Sequence, residues 1–135
     1  MPLIEWKDEM SVHVGEFDSH HKKLIALANK LHDTIIEKRG AAVIGGVLAE
    51  VSNYTVYHFF AEEELMDKYE YPEYGQHREE HIKLTEKTLQ LLDDFRNNKD
   101  GIENKALDFL KEWISHHVFG TDKKYGPFFN NRGIV

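Results

Sequence analysis

The chain has 135 residues, with Lys+Arg of 17 against Asp+Glu of 24, a net charge of -7 and no cysteine. That length suits one domain, residues 1–135, with a core of its own. The acidic balance, spread along the chain, argues against nucleic acid or an anionic membrane surface as a partner, and the lack of thiols removes disulfides, thiolate-bound zinc, iron–sulfur clusters and a cysteine nucleophile.

In chain order, the first segment, "MPLIEWKDEM", lacks the basic and apolar run of a secretory leader. No apolar stretch approaches the roughly 20 residues that span a bilayer, so a cytoplasmic protein without membrane insertion is expected. The 16 residues ahead of the first helix, with Trp6 and Val12, read as an arm lying over the rest. From Phe17 the inward positions recur at steps of four and three: Phe17, His21, Leu24, Ala28, Leu31 and Ile35. This is an amphipathic helix, opened by the capping-type residues Asp18 and Ser19 and closed by Lys38, Arg39 and Gly40. A second stripe, Val47, Val51, Tyr54, His58, Ala61 and Leu65, is expected to start near Gly45 and Gly46, which weaken a first turn by about 1 kcal/mol each, and to end before "DKYEYPEYG". The third runs Tyr74, His77, His81, Leu84, Thr88, Leu91 and Phe95, with Pro72 near its start, and stops at "NNKDG". The fourth, Ala106, Leu110, Trp113 and His117, breaks at Gly120 and is followed by the tail "TDKKYGPFFNNRGIV". Four such stripes on short links predict an all-α fold, an antiparallel up-down-up-down four-helix bundle with an N-terminal arm.

Of the nine histidines, His21, His58, His77, His81 and His117 stand where the stripes call for Leu or Val, whereas His13, His20, His32 and His116 do not. One core histidine is ordinarily a satisfied structural residue. Five at once need partners for their ring nitrogens, because each one left unpaired costs about 1 to 3 kcal/mol. Glu62 lies one turn beyond His58 on the same face, and a carboxylate there requires positive charge or a cation; Glu63 and Glu64 read as solvated. Asp122 follows His117 by five residues, which on a regular helix places it ~140° around. A break at Gly120 can turn Asp122 back over the bundle end, and spacing leaves both outcomes open.

Imidazoles and carboxylates without sulfur suit a first-row transition metal rather than calcium or magnesium. The seven groups exceed the needs of one ion, and two metals sharing bridging carboxylates use them all. At about six ligands per metal, five imidazoles, two bridging carboxylates and one solvent-derived bridge leave a single open position. Beside Leu24, Phe59, Ile114 and Trp113, that position suits a diatomic ligand.

The segments "FDSHHK", "YHFFAEEELM", "HREEH" and "WISHHVFGTDKKY", in this order, resemble the bacterial hemerythrins, and the likeness covers essentially the whole chain. The resemblance implies a single hemerythrin-like domain in which His77, His81 and His117 bind one iron, His21 and His58 the other, and Glu62 and Asp122 bridge. It further implies two iron ions, cycling between Fe2+ and Fe3+, with an oxo or hydroxo bridge, and reversible binding of dioxygen at the two-histidine iron. Carriage, storage or scavenging of oxygen is then expected rather than catalysis, in a monomer or weak homo-oligomer, with nitric oxide or azide-like anions as further ligands. Two other classes remain. A sensor of oxygen or nitric oxide would need a separate partner protein, and a two-iron redox enzyme would use more Glu and the Glu-x-x-His spacing that is absent here. One departure stands out: the family usually places glutamine before the first ligand, and this chain has His20. Phe17 and Leu24 select His21 over His20 as the inward residue, and Leu110 and Trp113 select His117 over His116; if either choice is wrong, the neighbour replaces it. With His21 as the ligand, His20 is instead a group behind the ligands or one that affects access near the first helix.

Overall fold

A computed structural model describes residues 3–135 of the chain. Four long helices, α1 (Gly15–Ile36), α2 (Ala41–Lys68), α3 (Tyr74–Arg96) and α4 (Ile102–Trp113), are followed by a π-helical turn at Ile114–Val118, a 3-10 turn at Thr121–Lys124 and a short helix α5 (Tyr125–Asn130). Each long helix packs on its sequence neighbours and α1 closes on α4, the arrangement of the predicted four-helix bundle. Among the described residues there is no strand, and no helix is long and apolar enough to cross a membrane.

The stripes explain the packing. On α1 the buried face holds Phe17, His21, Leu24, Ala28 and Leu31, widened by Leu27 and His20 on its flanks. The helix starts earlier than its capping-type residues suggested, at Gly15, and its N-cap Val14 makes no side-chain cap. Asp18 is used differently: its carboxylate accepts from Ser11 Oγ at 2.6 Å and from the Val12 amide at 2.8 Å, pinning the arm to the first turn. Farther out, Asn29 exchanges two hydrogen bonds with the Ile4 backbone, so the arm lies along α1 as expected. Helix α2 begins at Ala41, ahead of Gly45 and Gly46 rather than at them. A Cβ at Gly45 would stand 3.1 Å from the Phe95 ring, so the glycine admits close approach of α3, and tertiary packing outweighs its low helix propensity.

The three links between the long helices share one stop. Lys38, Glu70 and Asn98 take left-handed conformations, with φ of 54°, 55° and 55°. In each case that residue and the next donate their amides back to the last turn, as in Arg39 to Thr34 O at 3.0 Å and Tyr71 to Met66 O at 2.9 Å.

Two apolar clusters sit on either side of the histidines. The larger fills the bundle with residues such as Leu24, Leu31, Val51, Leu110 and Trp113. The smaller joins arm and tail through Val12, Phe17, Met66, Tyr125 and Phe129. Burial of Phe17 and of Phe129 stabilises this end by about 1.5 to 3 kcal/mol each. A Cβ at Gly126 would meet the Val12 carbonyl at 2.6 Å, so glycine is required where arm and tail cross.

Candidate metal centre

Three helices of the bundle and the segment that follows the fourth send side chains to one buried point. Helix α1 contributes His21, α2 contributes His58 and Glu62 one turn apart, α3 contributes His77 and His81 one turn apart, and the π-helical turn contributes His117. All six are buried, His21, His58 and Glu62 completely. The seventh group, Asp122, depends on the break after α4. There the Phe119 amide bonds the Ile114 carbonyl at 3.2 Å, five residues back, which widens the turn around His117. The chain then folds over itself at Gly120, where a Cβ would lie 2.5 Å from the His116 carbonyl oxygen. The 3-10 turn that follows delivers Asp122 to the same point, fully buried.

The seven groups converge through their outer atoms. The Nε2 atoms of His77 and His117 stand 3.1 and 3.0 Å from Asp122 Oδ1, and His21 Nε2 stands 3.0 Å from Oδ2. Glu62 faces the same rings, with Oε1 3.2 Å from His81 Nε2 and Oε2 3.4 Å from His58 Nε2. Nitrogens of neighbouring ligands also crowd together, His21 and His58 at 3.2 Å and His81 and His117 at 2.9 Å. The donors fall into two sets, Glu62, His77, His81, His117 and Asp122 in one and His21, His58, Glu62 and Asp122 in the other, with ligand atoms within 4.8 Å of one another in each. Both carboxylates belong to both sets.

Such crowding of acceptors is unfavourable without positive charge at its centre. Glu62 Oε1, both Asp122 oxygens and His77 Nε2 are buried and make no hydrogen bond. In the metal-free chain, protons take up part of this role. Burial disfavours a charged His21, but its contacts with Asp122 and Glu62 outweigh that and raise its pKa to about 9. The same competition raises His77 to about 9 and His117 to about 10, the latter helped by Glu80. Burial alone would raise the two acids, yet the surrounding imidazoles hold Glu62 and Asp122 below the ordinary carboxylate range. For His58 burial prevails and its pKa is lowered. The donor set therefore fits first-row transition-metal cations, which would replace these protons.

Behind the inner groups lies a second layer that sequence reasoning largely missed. His81 Nδ1 meets Glu63 Oε2 at 3.1 Å, and His117 Nδ1 meets Glu80 Oε1 at 2.9 Å, where Thr121 also donates to Glu80. Glu63 is thus a partner of the site and not the solvated residue expected from its acidic run. His20, placed off the core by its register, is 7% exposed and its Nδ1 lies 2.9 Å from His58 Nδ1. Burial lowers its pKa to about 4, reinforced by His58. Tyr125, in the tail, is wholly buried and donates its hydroxyl hydrogen to Glu62 Oε2. Its spacing to Phe128 and Phe129 was a one-turn amphipathic signal inside a segment read only as a tail. His13 and His116 are exposed, and His32 is half-buried beside Asp33.

The profile of the family described as "Hemerythrin HHE cation binding domain" matches residues 12–129. Bacteriohemerythrin of Methylococcus capsulatus is 33% identical over 128 residues, covering 94% of this chain and 97% of its own. A hemerythrin-like protein of Naegleria gruberi is 31% identical and covers 90% of each chain. The crystal structure of a wild-type hemerythrin superposes with a TM-score of 0.86 at 32% identity, covering 93% of this chain and 96% of that one.

Proposed function

The chain belongs to the hemerythrin family, and from that premise we propose that it holds two iron ions and binds dioxygen reversibly, as a carrier, store or scavenger. In this reading His77, His81 and His117 hold one iron and His21 and His58 the other, with Glu62 and Asp122 shared between them, an assignment supported by the division of the donors into two sets that have both acids in common. The observation that carries it is the convergence of five imidazole nitrogens on two buried carboxylates, of which Glu62 Oε1 and both Asp122 oxygens make no hydrogen bond. When bound, the iron pair supplies the electrons and the open coordination position that dioxygen needs.

The chain's own residues prepare the site. Tyr125 holds Glu62 Oε2 through its hydroxyl, restricting that carboxylate. Glu63 and Glu80 hold the Nδ1 hydrogens of His81 and His117, which directs the Nε2 lone pairs inward. Phe59 stacks flat on His81, with centroids 3.8 Å apart and planes at 7°. Together with Leu24, Trp113 and Ile114, all buried, it keeps bulk water from the inner face, the condition under which a small apolar gas competes with solvent.

An optical experiment tests the reading. Anaerobically reduced, iron-loaded protein exposed to oxygen is expected to develop a visible charge-transfer band that disappears on degassing and returns over repeated cycles. Irreversible oxidation with multiple turnover of an added reductant would instead make the protein a redox enzyme.

A further inference from the structure

We propose that His20 is a positioning residue that fixes the tautomer of His58 and, as a neutral acceptor, leaves the two-histidine half of the centre the more weakly held half. The inference rests on the two-iron reading above. A histidine that presents Nε2 to a cation must carry its hydrogen on Nδ1. For His81 and His117 that hydrogen is accepted by the carboxylates of Glu63 and Glu80. For His58 the group in the same place is another imidazole, His20, with the two Nδ1 atoms 2.9 Å apart. Two ring nitrogens at that distance share one hydrogen. If His58 donates, His20 accepts on Nδ1, keeps its own hydrogen on Nε2 and is neutral. If His20 donates, the His58 hydrogen moves to Nε2 and points at the cation position, which blocks binding.

His20 cannot easily turn away from this role. Its ring is walled by Phe17 at 5.8 Å, Tyr54 at 6.0 Å and Tyr57 at 5.4 Å between centroids, and it meets His58 edge-on at 84°. The difference between the halves is one of charge. An anionic acceptor strengthens the imidazole it serves as a ligand more than a neutral one does. Two imidazoles of the three-histidine set have anionic acceptors, whereas His58 has a neutral one, and His21 Nδ1 is buried with no partner among the described residues. The half of the centre built from His21 and His58 therefore receives less support than its neighbour.

The test follows iron leaving the reduced, two-iron protein into excess chelator, with wild type, His20→Ala, His20→Gln and His20→Glu compared. Wild type is expected to release one iron faster than the other. His20→Ala should accelerate only the fast phase, by about 10- to 100-fold, His20→Gln should return it close to wild type through its amide oxygen, and His20→Glu should slow it below wild type. Nitrogen-15 spectra of zinc-loaded protein should show an exchange-protected His58 Nδ1–H in wild type and His20→Gln that is lost in His20→Ala. Equal acceleration of both phases, or release from His20→Ala and His20→Glu at wild-type rates, overturns the inference and leaves the two-iron reading standing. Should His20→Ala fail to fold, the His20→Glu comparison still decides. Wild-type protein that takes up fewer than two irons overturns both.

Discussion

Asp122 shows at the scale of a single residue what the site demands. Its carboxylate touches rings from three different elements and has no hydrogen bond of its own. In the metal-free protein His21, His77 and His117 have folded pKa values of about 9, 9 and 10, above the ordinary value of 6.5. Their stabilisation is complete below the unfolded value and is lost as pH rises through the folded one. Apo protein is therefore expected to lose stability between about pH 6.5 and pH 10, read as a falling urea midpoint. Iron-loaded protein should lack that decline, and iron uptake near neutral pH should release protons; a pH-independent apo midpoint across this window would contradict it. Tyr125→Phe keeps the ring and removes the donor to Glu62, so it should destabilise by about 1.5 to 3 kcal/mol while still loading iron. His58→Ala should abolish the two-iron spectrum and His32→Ala should leave it intact. The inward histidines were legible because each replaced an apolar residue in a stripe. Tyr125 was not, since it is placed by tertiary folding of the tail; His20 was legible as a group behind the ligands or near the access route, and only its contact with His58 from the flank of α1 narrows that to the former.

The elements divide in the same way. Stripes of period near 3.6 marked all four long helices, because each must bury one face. The junction after α4 was not legible in detail. Its π-helical widening and its fold at Gly120 follow from packing against the bundle end, and only the glycine hinted at them. Gly120→Ala would press a Cβ to 2.5 Å from the His116 carbonyl, a backbone atom that cannot swing aside. It is expected to displace Asp122 and reduce retained iron more than it lowers helicity, as metal analysis and circular dichroism on one sample would show. Helix ends offer a contrasting case. Lys38 and Glu70 hold left-handed conformations at φ of 54° and 55° that glycine adopts freely. Lys38→Gly should stabilise the fold by about 0.5 to 1 kcal/mol, seen as a raised denaturation midpoint with unchanged iron content.

For the whole molecule, the centre works as a clasp. Its groups come from α1, α2, α3 and the segment after α4, while arm and tail close one end through Val12, Phe17 and Phe129. A cation bound only by the folded chain stabilises it by mass action, about 4 kcal/mol when free metal exceeds its Kd a thousandfold. Without it, the same groups are a buried cluster of like acceptors held partly by protons. The most direct test is a titration of apo protein with ferrous iron under anaerobic conditions, followed by desalting and elemental analysis. The account predicts two irons retained per chain, and retention of one or none would contradict it.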